Sequence, residues 1–217
     1  MQYFIHLFFT CISLFSTNSN DKFTPQNGDL IFQESCEGNM GEAIKDVTSG
    51  IAGYNFTHVG IVWVSEKNDS IYVIEATHPK VCMTPLQEYL YPKDKNCPPI
   101  SVVARLKDQY QPLIPQAIEE AKNHIGKDYD DAFDLKNDLY YCSELIYDIL
   151  LKANSNTPIF PLNIMTFKSK DSDNFSPNWI SHFEKQGIPI PEGELGINPG
   201  AMSKQKEIID IVYFYQE

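Results

Sequence analysis

A chain of 217 residues, 42% of them apolar, is long enough to bury one substantial core, and no internal repeat, low-complexity tract or linker divides it. Its 29 acidic against 17 basic side chains leave a net charge of -12 with no basic patch, which excludes nucleic acid as a partner and disfavours anionic membrane surfaces. A small molecule, a peptide or a neutral lipid remains.

The chain opens on an uncharged apolar run, Tyr3 to Phe15, followed by a small and polar stretch, Ser16 to Asn20. Such a run is too short for a bilayer core of ~30 Å. Residues 1–20 therefore read as a cleaved signal peptide and not as a transmembrane span, although no Lys or Arg precedes the run. The expected destination is the periplasm, the cell exterior or the envelope. Cys11 in FFTC resembles a lipoprotein cleavage site only loosely, because the residue before it is not small, so no lipid anchor is expected. Residues 21–217 then form one domain. They carry Cys36, Cys82, Cys97 and Cys142, too few for a disulfide scaffold. Cys82 and Cys97 flank the irregular segment PLQEYLYPKDKNCPP and could be bridged in an oxidising compartment. No CxxC or His-rich spacing points to a metal, and no motif points to a cofactor.

Along the chain, the turn signal PQNG leads into a strand at Asp29 to Phe32, and MGEAIKDVTSG from Met40 reads as a short helix stopped by Gly50. Thr57 to Val64 and Ile71 to Thr77 are β-branched and aromatic runs separated by SEKNDS, the pattern of a hairpin. Val102 to Leu106 is a further strand. Pro112 to Ile125 repeats its apolar residues near a 3.6-residue period and ends at Gly126, which predicts a helix. A second helix starts near Cys142 and buries Leu145, Ile146, Ile149 and Leu150. Residues 154–206 are rich in Pro, Gly, Asn and Ser with a helical interlude at Asn178 to Lys185, and a long ordered loop of this kind often shapes a cleft. A strand at Ile208 to Tyr215 closes the chain.

Three residues carry the candidate chemistry. A cysteine at a helix start faces backbone N–H dipoles, which favour the reactive thiolate and can hold an oxyanion, so Cys142 is a candidate nucleophile; a buried structural thiol is the plain alternative. His58 taken alone reads as a core histidine. If Val64 pairs with Ile71, however, His58 and Glu75 lie on one face as diagonal neighbours, within reach of a hydrogen bond. Nucleophile, base and orienting carboxylate are the parts that acyl transfer by a thiol requires.

The pieces NGDLIF, FTHVGIV, YVIEA, GKDYDDAF and YYCSELIYDIL, in that order, resemble the YiiX/YebB-like permuted papain-fold cysteine hydrolases, circularly permuted relatives of the NlpC-type cell-wall peptidases. In NlpC-type enzymes the cysteine precedes the histidine; here His58 comes first, as in the permuted branch. The resemblance implies an α+β fold, an antiparallel sheet packed against helices, with Cys142 at a helix start and His58 and Glu75 on the sheet. It also implies an amidase or peptidase acting through an acyl-enzyme on a peptide or lipid-amide of the cell envelope. The permuted branch is similar as well to lecithin retinol acyltransferase-like enzymes, which makes a lipid acyltransferase or esterase the neighbouring reading. A non-catalytic envelope-binding module is the reading from a different class. Tyr129 and Tyr141 are expected to line the cleft, while Asp29 reads as a structural turn residue. His78 is a weaker competitor for the base, and His124 reads as a surface group at a helix end.

Overall fold

The computed structural model describes residues 23–93, 96–170 and 172–215. The segment 1–20, expected to be a signal peptide, lies outside the described residues. Strand β1 (Leu30–Glu34) follows a turn in which Gly28 takes φ 83°, a left-handed value that glycine adopts without a Cβ clash. Helix α1 (Asn39–Val47) leads to the hairpin β2 (His58–Val64) and β3 (Ile71–Thr77), whose pairs Ile61↔Ile74 and Val64↔Ile71 keep the register the sequence suggests. Strand β4 (Lys80–Pro85) pairs with β3, and the short helix α2 (Leu86–Leu90) opens the stretch read as irregular. Strand β5 (Ile100–Leu106) precedes helices α3 (Ile114–Asn123) and α4 (Cys142–Ala153). The last third holds β6 (Asn163–Ile164), α5 (Pro177–Gln186), β7 (Leu195–Gly196), α6 (Pro199–Ser203) and β8 (Ile209–Phe214).

Among the described residues one six-stranded sheet runs in the order β4-β3-β2-β1-β5-β8, antiparallel throughout, and β6 and β7 make a separate two-stranded ribbon. The period-2 alternation of each strand divides its side chains between two layers. Leu30, Phe32, Val59, Ile61 and Ile74 pack with α3 and with Leu145, Ile146 and Ile149 of α4. Ile31, Val62, Val73 and Val103 turn to the other face, where Tyr89 and Leu90 of α2 cover them. At roughly 1.5–3 kcal/mol per fully buried aliphatic side chain, these two layers hold α4 and α2 against the strand ends that bear the site. A third cluster joins Ala43 of α1 to Met165, Phe167, Trp179 and Phe183, so α5 and the segment before it fold onto α1, while Ile197, Met202 and β8 join the main core and the sheet.

Asp29 is fully buried and accepts Arg105 Nε and Nη2 at 2.7 and 2.9 Å, tying β1 to β5 in a structural role. Two expectations need correction. Cys97 is bonded to Cys36, with Cα atoms 6.2 Å apart, and not to Cys82. The β1–β5 pairing sets Glu34 opposite Ile100, so the chain just after β1 meets the chain just before β5, while Cys82 sits in the sheet opposite Glu75. His124 is buried rather than on the surface, its Nε2 2.8 Å from Asp148 Oδ2 on α4. The α3–α4 packing turns it inward.

Candidate active site

Tyr141 is extended (φ -92°, ψ 168°) and Cys142 is the first helical residue of α4. The helix starts here because Glu144 reaches back to accept the Tyr141 N–H at 3.2 Å, the reciprocal half of a capping box. Burial pushes the Glu144 carboxyl up to about 9, against the pull of that backbone hydrogen bond and with help from the charges of Asp130 and Asp148. At neutral pH it is an uncharged acid, so the first turn of α4 presents its positive dipole end to the sulfur undiminished by a nearby carboxylate. Cys142 is 5% exposed, yet its thiol lines a pocket, with Sγ 4.0 Å from the Thr57 carbonyl oxygen.

His58 and Glu75 have the strand parity of Val62 and Val73 and so project from the face that α2 covers. Helix α4 packs on the opposite face. Because His58 is the first residue of β2, its ring meets the start of α4 at the end of the sheet and not through a layer of core. His58 Nε2 lies 2.6 Å from Glu75 Oε2, which leaves Nδ1 for the sulfur. Burial disfavours the imidazolium, but hydrogen bonds to Cys142 and Glu75 and the negative charge of both outweigh it and raise His58 to about 10. Glu75 is itself fixed from β4, since its Oε1 accepts the Thr84 hydroxyl at 2.5 Å. The backbone carbonyl of Tyr89, whose ring lies 5.8 Å from that of His58, accepts from Gln33, the β1 partner of His58.

The cleft has two unlike halves. On the Cys142 side is a pocket of about 610 Å³, its open mouth included, walled by Val47, Phe133, Met165, Phe167 and Ile197 with Tyr129 and Tyr141. On the His58 side is an open groove of mixed character, bordered by Glu75, Glu88, His78 and Thr84, by Met40 and Tyr89, and by the Cys36–Cys97 disulfide. Thr57 borders both. The expected tyrosines thus stand beside the thiol, and burial raises the pKa of each phenol, so both keep their protons. His78 is exposed, 3.2 Å from Asp131 with its ring tilted against that of Tyr129, and has no part in the His58–Glu75 pair.

Sequence reasoning missed Thr84, which no motif announces, and the way residues 154–206 close the pocket. Ser143 Oγ donates to the Ile197 carbonyl and Tyr141 Oη accepts the Ile197 N–H, so both neighbours of Cys142 clamp the strand exit after β7. A Cβ on Gly196 would run into the Met165 thioether, which would have to move aside to admit it.

A family model described as "Permuted papain-like amidase enzyme, YaeF/YiiX, C92 family" matches residues 24–211. The chain belongs to this family. The uncharacterized protein YiiX of Escherichia coli strain K12 is 32% identical over 134 residues, and the match spans 59% of this chain and 59% of that relative, less than two thirds of its length. The crystal structure of metalloprotein YiiX from Escherichia coli O157:H7 superposes with a TM-score of 0.66 at 26% identity, covering 88% of this chain and 98% of that one. The family carries the permuted papain-like fold expected from the sequence, and its description is that of a papain-like amidase family.

Proposed function

We propose that this protein hydrolyses an amide bond in peptide or lipid-amide material of the cell envelope through an acyl-enzyme on Cys142. The observation that carries the reading is the 2.6 Å contact of His58 Nε2 with Glu75 Oε2, backed by the Thr84 hydroxyl, at the sheet end where α4 starts with Cys142, whose Sγ lies 4.0 Å from the carbonyl oxygen of Thr57, the neighbour of His58. The Cys142 sulfur attacks the carbonyl carbon, and the N–H groups of the first turn of α4, which have no acceptor within the helix, receive the developing oxyanion. The C–N bond breaks as the His58 imidazolium gives its proton to the departing nitrogen, leaving a thioester. His58, now neutral, takes a proton from water, whose oxygen attacks the thioester carbon. A carboxylic acid leaves and the thiolate–imidazolium pair is restored. Glu75 holds the ring and stabilises its charge.

The Cys36–Cys97 disulfide supports an exported protein, since such bonds persist in oxidising compartments. Among the described residues no helix is long and apolar enough to cross a membrane. The YiiX crystal structure bears the word metalloprotein, but among the described residues here no group of three or more His, Cys, Asp or Glu side chains converges to hold a metal ion. The donor set does not fit, and no step is routed through a metal.

The test is the rate of carboxymethylation of Cys142, followed by peptide mapping across pH, in wild type and His58→Ala. Fast modification at about pH 6 that slows in the variant supports a thiolate held by the histidine. Slow modification, identical in both, points to the non-catalytic binding module instead.

A further inference from the structure

Acyl transfer at Cys142 needs the His58 ring in one orientation, with Nε2 on Glu75 and Nδ1 toward the sulfur. A misplacement of about 1 Å at such a site can slow a reaction ~100-fold. The contact with Glu75 fixes one atom of the ring and leaves the rest of its placement to other neighbours. Helix α2 is one of them. It leaves the edge strand β4 at Leu86, and at Tyr89 it is bonded to β1, having crossed β3 and β2, the strands that carry Glu75 and His58. Two hydrogen bonds hold it there. Tyr89 Oη donates to the Ile31 carbonyl at 2.9 Å, and the Tyr89 carbonyl accepts Gln33 Nε2 at 2.9 Å. Gln33 is held in turn by Ser101 Oγ on β5, 3.1 Å away.

The β1–β2 ladder sets Ile31 opposite Gly60 and Gln33 opposite His58. The two anchors of Tyr89 therefore bracket the end of β2 that bears the histidine, and the two ring centroids lie 5.8 Å apart at a tilt of 36°. Gly60 keeps this face open beneath the helix, since a Cβ there would run into the Val73 side chain and stand 3.3 Å from Glu75 Cβ. Tyr89 is 4% exposed and the Glu75 side chain 9%. Burial, then the charges of Glu75 and Cys142, push the Tyr89 phenol well above its ordinary value, so it keeps its proton and remains a donor to Ile31.

We propose that Tyr89 is a positioning residue for the His58–Glu75 pair: anchored to β1 at both ends, its ring packs against the imidazole and closes the Nε2–H hydrogen bond to water from the side of α2. This rests on the acyl-enzyme reading above and names what holds its base. A hydrogen bond kept from water is electrostatically stronger than an open one, and an aromatic ring within ~6 Å of a cation adds to the attraction. Tyr89 touches neither the thiol nor the proton in transfer; it acts through His58.

The experiment is proton NMR on the whole protein at neutral pH. The Nε2–H shared with Glu75 is expected far downfield, assigned by its absence in His58→Ala, and it is observed only while exchange with water is slow. In Tyr89→Leu, which keeps an apolar side chain and loses the ring, exchange is expected to quicken about tenfold or more, as a local opening becomes easier. Tyr89→Phe keeps the ring and is expected to exchange close to wild type. Leu86→Ala removes packing from the same helix without touching the ring; it is expected to lower the Tm and leave the exchange unchanged, which a merely structural role for α2 would not. A wild-type proton that already exchanges too fast to observe, an unchanged rate in Tyr89→Leu, or equal quickening in Leu86→Ala overturns the proposal. Carboxymethylation keeps the two ideas apart. If Cys142 is activated in wild type while Tyr89→Leu exchanges as wild type does, the hydrolase reading stands and the role of Tyr89 falls. If Tyr89→Leu opens the bond while Cys142 reacts slowly and is indifferent to His58→Ala, Tyr89 positions His58 and the hydrolase reading falls.

Discussion

Replacing Glu75 by Gln removes one negative charge from the His58 ring without removing a side chain of that size. His58 stands at about 10 because hydrogen bonds to Cys142 and Glu75 and the charge of both outweigh burial. The Glu75 bond, 2.6 Å long to a carboxylate oxygen that is nearly inaccessible, is of the charge-assisted kind and contributes roughly 1.5–3 kcal/mol to the imidazolium. At 1.36 kcal/mol for each tenfold change, that moves the alkaline limb of the kcat/KM profile down from near 10 by about one to two pH units. The sign follows from the proton the amine must receive. Activity is full while His58 is protonated and is lost as pH rises through its folded pKa, so a lower pKa ends activity earlier. If the same energy is withdrawn from the transition state, kcat/KM at neutral pH falls about 10- to 150-fold. The assay is a pH series of kcat/KM on a cleaved amide, with the alkylation rate of Cys142 measured in parallel. A Glu75→Gln enzyme that loses activity while its alkaline limb stays near 10 would refute the reasoning, because Glu75 would then support the fold and not the charge on His58.

Glu144 is expected to cost stability at alkaline pH. Its folded pKa of about 9 lies above the ordinary carboxylate value, so from about 4.5 upward the unfolded chain loses a proton that the native protein keeps, and stability declines until pH passes about 9. Glu144→Gln keeps an acceptor for the Tyr141 N–H and removes the titration. Thermal melts from pH 5 to 9 are expected to fall less steeply in the variant; parallel curves would contradict the assignment. The Cys36–Cys97 bond spans 61 positions of sequence, and constraining that loop in the unfolded chain contributes about 2–4 kcal/mol. Cys36→Ser is expected to lower the Tm by several degrees and make the remaining stability indifferent to reductant, whereas wild type melts lower once reduced.

Much of this architecture is written locally. The β-branched runs of β2 and β3 and the 3.6-residue periods of α3 and α4 name their elements because each buries one face against a neighbour. The pairing of Val64 with Ile71 follows from the hairpin, and with it the common face of His58 and Glu75. What the sequence leaves unwritten depends on distant contacts. Thr84 shares an edge strand with Cys82, and only the β3–β4 register aims it at Glu75. Cys97 finds Cys36 through the β1–β5 ladder, a partner 61 residues away that no spacing rule selects. Met165, Phe167 and Ile197 sit among prolines, glycines and asparagines with no period to mark them, and become a pocket wall only by folding onto α1 and α4.

The chain order of the site residues explains why so much could nonetheless be read. His58 and Glu75 precede Cys142, the reverse of the NlpC-type order, yet the site asks only that a helix begin at the end of two neighbouring strands. That requirement is met by packing α4 against the sheet, and the packing is set by Leu145, Ile146 and Ile149 on one side and Val59, Ile61 and Ile74 on the other. Which loop connects them is a separate matter. The 64 residues between β3 and α4 are therefore free to hold β4, α2, β5 and α3, and two of these insertions act on the site: β4 supplies Thr84 to Glu75, and α2 places Tyr89 beside His58. Permutation moves the covalent order of the triad and at the same time decides which segments are close enough to tune it.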